Sequence, residues 1–352
     1  MKSEMFLAQY QGLRAIAFLC IFISHLFRLN ALGAWGVSVF LVLSGFLMTY
    51  NYFGRQDAQK FGVKFAIQKI HRLYSLHILI LAGFIVVAVY EGDSIGELTV
   101  KSLLHIGLLQ AWVPEMEYYY SLNDISWYLG VCVFAYACFG PVIRHLRLIT
   151  KQSRIILYLM AIMVTALGVA ALAAQFGNPD AAKPLSVHWI TYVCPASRFL
   201  EFLSGCCLGW LYLHRKPERK PISPYITDIL AIGLAIISLL IYTYQIGPLG
   251  TPYFRYAFLF LIPSIILIYT VSHSGFLMRI LQSRVLIWIG NLSAYGFLLH
   301  GVMITVSRHL LEWAGISNMI LIALCAVLFT FSLSVLWMRM NSKRKTMPFM
   351  WR

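Results

Sequence analysis

Charge is what this sequence has least of. Asp, Glu, Lys and Arg make up 12% of its 352 residues, against about 25% in soluble domains. The deficit runs along the whole chain, and no long polar segment is left over to form a soluble domain. A soluble enzyme is therefore excluded as the class of the chain. Acids are scarcer still, 13 against 28 bases, for a net charge of +15. That excess does not describe a nucleic-acid surface, because the bases sit in short clusters between apolar runs. Such clusters carry membrane topology.

Other absences narrow the chemistry. None of the 7 cysteines forms a Cys-x-x-Cys pair. Cys20, Cys132, Cys138, Cys206, Cys207 and Cys325 lie inside apolar runs and read as small buried hydrophobes. There is no Walker loop, no dinucleotide-binding glycine motif and no His/Cys metal spacing, so no metal is expected. His71 and His77 fall on opposed faces of a helix and make poor metal partners. Leu43-Ser44-Gly45-Phe46 lacks the outer glycine of a nucleophile elbow and reads as a small-residue packing surface between helices. A secretory leader is rejected, because Glu4 and Arg14 spoil its flank and a second apolar segment follows at once. No internal repeat is visible.

What remains is a chain 60% hydrophobic and 15% aromatic. Apolar windows near the ~20-residue spanning length fall at about 11–29, 34–53, 73–90, 125–143, 155–175, 197–213, 225–245, 255–273, 286–306 and 317–338. The shorter stretch Leu98 to Trp112 reads as re-entrant or interfacial. The expected fold is an all-α polytopic transmembrane bundle of about ten spans. With the N-terminus inside, 22 of the 28 basic residues fall on one side of the membrane. The exceptions are Arg28, Lys101, Lys183, Arg198, Arg255 and Arg308. Both termini are accordingly expected in the cytoplasm. The opposite loops collect acids: Glu91, Asp93, Glu97, Glu115, Glu117 and Asp124.

Arg14 and His25 share the apolar stretch Leu13 to Phe27. Ionisable residues in a membrane helix are functional candidates by default. Eleven residues on a helix are roughly 1100°, three turns plus about 20°, so both project from nearly one face, ~16 Å apart along the axis. Arg14 is expected where the first span meets the cytoplasm, as a topological anchor or an anion contact. His25 is expected deeper, near mid-membrane, as a packing residue or a general base. Arg198 and Glu201 are an i,i+3 pair, either a mutual ion pair or an acceptor-site contact. His300 reads equally as core or as substrate contact. Arg308, His309 and Glu312 read as a solvated loop.

Gln11-Gly12-Leu13-Arg14-Ala15-Ile16-Ala17, then His25, then Gly36-Val37-Ser38-Val39-Phe40-Leu41-Val42-Leu43-Ser44-Gly45-Phe46-Leu47 resembles the opening of the acyltransferase-3 family. These are bacterial integral-membrane O-acyltransferases, often O-acetylases of surface polysaccharides. The resemblance continues along the chain. Lys69 and Arg72 are similar to the basic segment before the third span. Ser126-Trp127-Tyr128-Leu129 resembles the Ser-Trp-x-Leu motif, Arg198-Phe199-Leu200-Glu201-Phe202 with Gly205 the Arg-x-x-Glu-Phe-x-x-Gly segment, and Gly290 to His300 a late Gly-x-x-Ser…His element. One departure is Cys132, where many members carry glutamate. The resemblance implies a single membrane domain over 1–352, with no fused extracellular hydrolase-like domain. It implies an acetyl-CoA donor in the cytoplasm, bound by Arg14, Lys69 and Arg72, and a glycan or glycolipid acceptor at the outer face of a bacterial plasma membrane. His25 would be the general base, with Arg14 beside it in catalysis. Trp127, Arg198, Glu201 and His300 would contact the acceptor. The rival classes are a transporter or flippase, which predicts inverted repeats or paired broken helices, and a membrane scaffold, which has no need of Arg14 and His25.

Overall fold

The computed structural model describes residues 2–215, 223–247, 251, 254, 259–272 and 275–342. Those residues form an all-α bundle. Backbone pairing between extended segments is confined, among them, to one isolated bridge between Asn178 and Ser186. The helices are α1 (Lys2–Phe27), α2 (Asn30–Tyr52), α3 (Val63–Glu91), α4 (Ile95–Ile106), α5 (Met116–Tyr119), α6 (Trp127–Ala137), α7 (Phe139–Arg147), α8 (Gln152–Phe176), α9 (Pro195–Leu213), α10 (Pro224–Tyr244), α11 (Leu261–Val271), α12 (Phe276–Leu281), α13 (Arg284–Trp313) and α14 (Met319–Ser342).

By length and composition, seven described helices can cross a membrane. An eighth arises if α6 and α7, bent by 42° at their junction, are one broken span. The chain is thus a multi-pass membrane protein, with fewer qualifying helices than the ten expected. Two expected windows fall short. At 197–213, α9 is a helix of 19 residues whose apolarity is diluted by Arg198 and Glu201. At 255–273, α11 has 11 residues, and residues 255–258 lie outside the described set. The α6–α7 break has a local cause: Pro141 has no N–H to bond the carbonyl one turn back. The stretch Leu98 to Trp112 is short as expected, comprising most of α4 and a 3-10 turn at Gln110–Trp112.

α2 is the centre of the bundle. Its spanning window is 94% buried, against 22% for α8 and for α14. A helix that is apolar all round and so enclosed has a protein environment on every face, whereas α8 and α14 offer lipid most of theirs. The contact of α2 with α9 is set by two glycines. A Cβ on Gly45 would lie 1.9 Å from the Phe202 carbonyl oxygen, and one on Gly205 would lie 1.9 Å from that of Val42. Small residues let the two backbones touch, as the Ser44-Gly45 pair led one to expect. At the far end of α2, the Arg147 guanidinium donates to the carbonyls of Tyr52, Phe53 and Arg55. These are the carbonyls a helix end leaves open.

Two expectations about α1 and α13 need correction. Helix α1 begins at Lys2, well before the apolar stretch. Arg14 therefore sits at mid-helix and His25 in the last turn, rather than at the start and the middle of the span. Helix α13 runs to Trp313, so Arg308, His309 and Glu312 are helical and not a loop. His309 and Glu312 are exposed and still read as solvated, with His309 Nδ1 3.8 Å from Glu312, while Arg308 is half-buried.

Candidate active site

Three groups of predicted residues emerge, on α1, α3, α6, α9 and α13. The first is a mouth at the end of α1. His25 is exposed there. Its ring centroid lies 4.9 Å from that of His300 on α13, with the planes at 72°. His300 is fully buried. Its Nδ1 is 2.7 Å from the Phe297 carbonyl. A carbonyl only accepts, so Nδ1 carries the proton and Nε2 holds the lone pair. That Nε2 is buried and has no hydrogen-bond partner among the described residues. Asp124, from the 3-10 turn Asp124–Ser126, lies within electrostatic range of His25.

The second group lies below the mouth. A narrow cavity of about 40 Å³ is lined by Arg14, Ser44, Tyr128, Cys132 and Tyr136 on its polar side. Phe40, Ile70, Leu73, Leu129, Ala294, Phe297 and Leu298 complete the wall. Phe297 connects the two levels, since its ring is 5.8 Å from that of His300. Arg14 is 2% exposed and donates from Nη1 to Gln11 at 3.3 Å. Tyr128 and Tyr136 act on it electrostatically. Tyr128, Cys132 and Tyr136 are spaced four apart, so α6 presents them as one stripe. The α3 turn carrying Lys69 and Arg72 reaches the cavity through Ile70 and Leu73. Lys69 itself bonds the Tyr52 hydroxyl and sits 4.6 Å from that ring's centroid. Arg72 acts electrostatically on Tyr295 of α13.

The third group is separate. Arg198 and Glu201 form an ion pair at 2.9 Å, 1% and 3% exposed. Ser38 donates to the second carboxylate oxygen at 2.7 Å, and the Arg198 guanidinium lies 5.0 Å from the centroid of Tyr192. Trp127 packs on the same tyrosine at 5.1 Å. It is buried, with its ring packed among neighbours.

The structure thus brings His25 to His300, and Arg14 to the α3 turn of Lys69 and Arg72. It keeps Arg198, Glu201 and Trp127 in another cluster. Ser44, Tyr128 and Tyr136 escaped sequence reasoning as cavity residues. The four-residue spacing of Tyr128, Cys132 and Tyr136 was the available signal.

Chemically, the mouth offers a solvent-reached imidazole beside a second imidazole's lone pair. The cavity offers a buried guanidinium and hydroxyls in an apolar shell. Such a pairing suits proton transfer at the surface and polarisation of a bound carbonyl beneath it.

The comparisons with known proteins agree in kind. The family model described as "Acyltransferase domain" matches residues 7–339. The chain is 26% identical over 328 residues to "Acyltransferase MdmB" of Streptomyces mycarofaciens, covering 85% of this chain and 79% of that protein. It is 24% identical over 329 residues to "Peptidoglycan O-acetyltransferase OatA" of Listeria monocytogenes, covering 88% of this chain and 51% of that protein. The chain therefore spans about half the length of the latter relative. No solved structure matches it. Since the family match takes in nearly all of the chain, including both histidines of the mouth and the cavity arginine, this multi-pass membrane protein belongs to the acyltransferase-3 family of acyltransferases.

Proposed function

We propose that the chain is an O-acyltransferase of a bacterial plasma membrane. It moves an acetyl group from cytoplasmic acetyl-CoA to a hydroxyl of a surface or lipid-linked glycan. The name of the Listeria relative supports an O-acetyl product on a cell-surface polymer. The 22:6 division of basic residues supports cytoplasmic termini, which puts the His25 mouth at the outer face. One observation carries the reading: an exposed imidazole, His25, packs on His300, whose ring neighbour Phe297 lines the same cavity as the buried guanidinium of Arg14.

In this reading Lys69 and Arg72 hold the CoA phosphates, with Arg14 deeper along the same path. The ~16 Å between Arg14 and His25 is bridged by the donor's flexible arm, which lies in the cavity. Arg14 and the Tyr128 and Tyr136 hydroxyls hold the polar groups of that arm along its path. His25 takes the proton of the acceptor hydroxyl as its oxygen attacks the carbonyl carbon. The C–O bond forms, the C–S bond breaks, and the imidazolium returns its proton to the departing thiolate. A thioester is already activated, so one base and good positioning suffice. His300 contacts the acceptor from its lone-pair nitrogen. Arg198 and Glu201 shape the acceptor side from behind α2.

Glycan NMR of a deletion strain against its complemented parent tests the assignment. Loss of one acyl group on deletion, restored by the native chain and not by a stably inserted His25→Ala variant, is the expected result. An unchanged glycan, or full restoration by His25→Ala, rejects it.

A further inference from the structure

We propose that Asp124 is the positioning carboxylate of His25, held in place by a buried polar network and a glycine on α13. This rests on the reading of His25 as the base.

Sequence position hides the relationship, because Asp124 is 99 residues from His25 and belongs to a loop rich in acids. The fold removes that distance. Asp124 opens the 3-10 turn Asp124–Ser126, which docks on α13 directly beside His300. The docking depends on Gly301. A Cβ there would lie 2.5 Å from Ile125 Cδ1, and Asp124 Oδ1 lies 3.8 Å from the same point. The carboxylate is thus fixed next to the residue that follows His300, and His300 is itself the ring neighbour of His25. Asp124 and His25 are both exposed at this mouth, near enough for the charge of one to bear on the other but beyond ion-pair contact.

The turn is built to hold its place. Ser126 is fully buried, and its hydroxyl donates to the Asn123 carbonyl at 2.7 Å. Gln110 Nε2 donates to the Ser126 hydroxyl oxygen at 3.0 Å, and His105 Nδ1 lies 3.1 Å from that oxygen. The other His105 nitrogen is 3.0 Å from Ser121 Oγ. His77 Nε2, on α3, holds the His105 carbonyl at 3.0 Å. The buried serine of Ser-Trp-x-Leu therefore anchors the turn from inside. Buried hydrogen bonds rigidify what they hold, and here they centre on the Ser126 hydroxyl, while Gln110 Oε1, His77 Nδ1 and the Asn123 side chain have no partner among the described residues.

The chemical need is specific. When His25 takes a proton it becomes a cation at the edge of a membrane protein. A fixed carboxylate stabilises that cation and leaves the neutral imidazole nearly unaffected, so its effect is confined to the transition state. Such an effect lowers kcat and leaves donor KM alone when it is removed.

The test uses the full chain in native membranes and follows transfer of labelled acetyl from acetyl-CoA to the membrane glycan. Rates are normalised to inserted protein. Asp124→Asn should lower kcat at least tenfold with donor KM within twofold of native. Asp124→Glu should restore kcat to within about threefold of native. In a His25→Ala background, Asp124→Asn should cost nothing further. Native kcat in Asp124→Asn, or equal loss in Asn and Glu variants, overturns the role of Asp124 while His25→Ala still reports separately on the base. Native activity in His25→Ala removes the base reading, and this inference with it.

Discussion

His300 packs on His25 with the two ring centroids 4.9 Å apart, its Nδ1 held by the Phe297 carbonyl and its Nε2 left with the lone pair. That nitrogen is a buried acceptor without a partner among the described residues, in a pocket where Phe18, Phe22 and Phe297 also pack. An unmet buried polar atom costs about 1–3 kcal/mol. His300→Phe should therefore keep or raise thermal stability in detergent and lower acyl transfer at least tenfold. A fall in both would mean that His300 is structural.

Cys132 occupies the cavity wall between Tyr128 and Tyr136. Cys132→Phe would fill the space in which we propose that the donor arm lies. Donor KM should rise severalfold or transfer should be lost, with insertion unchanged. Cys132→Ser, nearly isosteric, should stay within about threefold of native. Titration of initial rate against acetyl-CoA distinguishes the two outcomes, and an unaffected Phe variant would place the donor elsewhere.

The Arg198–Glu201 pair is buried on both sides. Removing one partner of such a pair strands the other charge and costs about 3–5 kcal/mol, whereas replacing both with apolar side chains is often close to neutral. Arg198→Met alone should unfold at distinctly lower temperature than the Arg198→Met, Glu201→Leu double variant. Thermal melts of purified protein decide. If the double variant retains activity as well as stability, the pair does not serve the acceptor.

Gly45 and Gly205 face carbonyl oxygens, not movable side-chain ends. Overpacking typically costs 1–3 kcal/mol and occasionally more, and here the helices themselves must part. Gly45→Ala should cut the yield of folded protein sharply, while Ser44→Ala should not. Fluorescence-detected size-exclusion profiles would show it.

His105 lies in α4, outside the spanning helices. Burial lowers its pKa from 6.5 to about 4, with His77 adding to the shift. The neutral ring is therefore favoured by folding. The stabilisation is complete above pH 6.5 and is lost as pH falls from there toward 4, because the unfolded state binds the proton first. At about 1.4 kcal/mol per unit, up to about 3 kcal/mol is at stake. Melting temperature should drop over that range, and His105→Gln should flatten the drop.

The helical bundle was legible in the sequence because apolar windows report membrane helices directly. The Arg14 and His25 candidates were legible for the same reason, as charges where charges are costly. Depth was not. Helix α1 continues back through polar residues to Lys2, and apolarity says nothing about where a helix starts. That is why Arg14 was expected at the start of the apolar stretch and lies at mid-helix, beside the cavity. Trp127 carried a motif but not its burial, which depends on Tyr192 from a distant segment. Asp124 was visible only as one acid among several, because its relation to His25 is made by tertiary docking at Gly301.

The enclosure of α2 has a consequence for how the bilayer acts on this protein. Lipids touch the outer helices and scarcely reach the central one. Changes in bilayer thickness or fluidity can therefore tilt α8 and α14 while the strand of backbone that carries Ser38, Phe40 and Ser44 past both polar clusters stays shielded. The outer helices serve as a mechanical buffer, and the helix that borders both polar clusters lies where the membrane cannot push it.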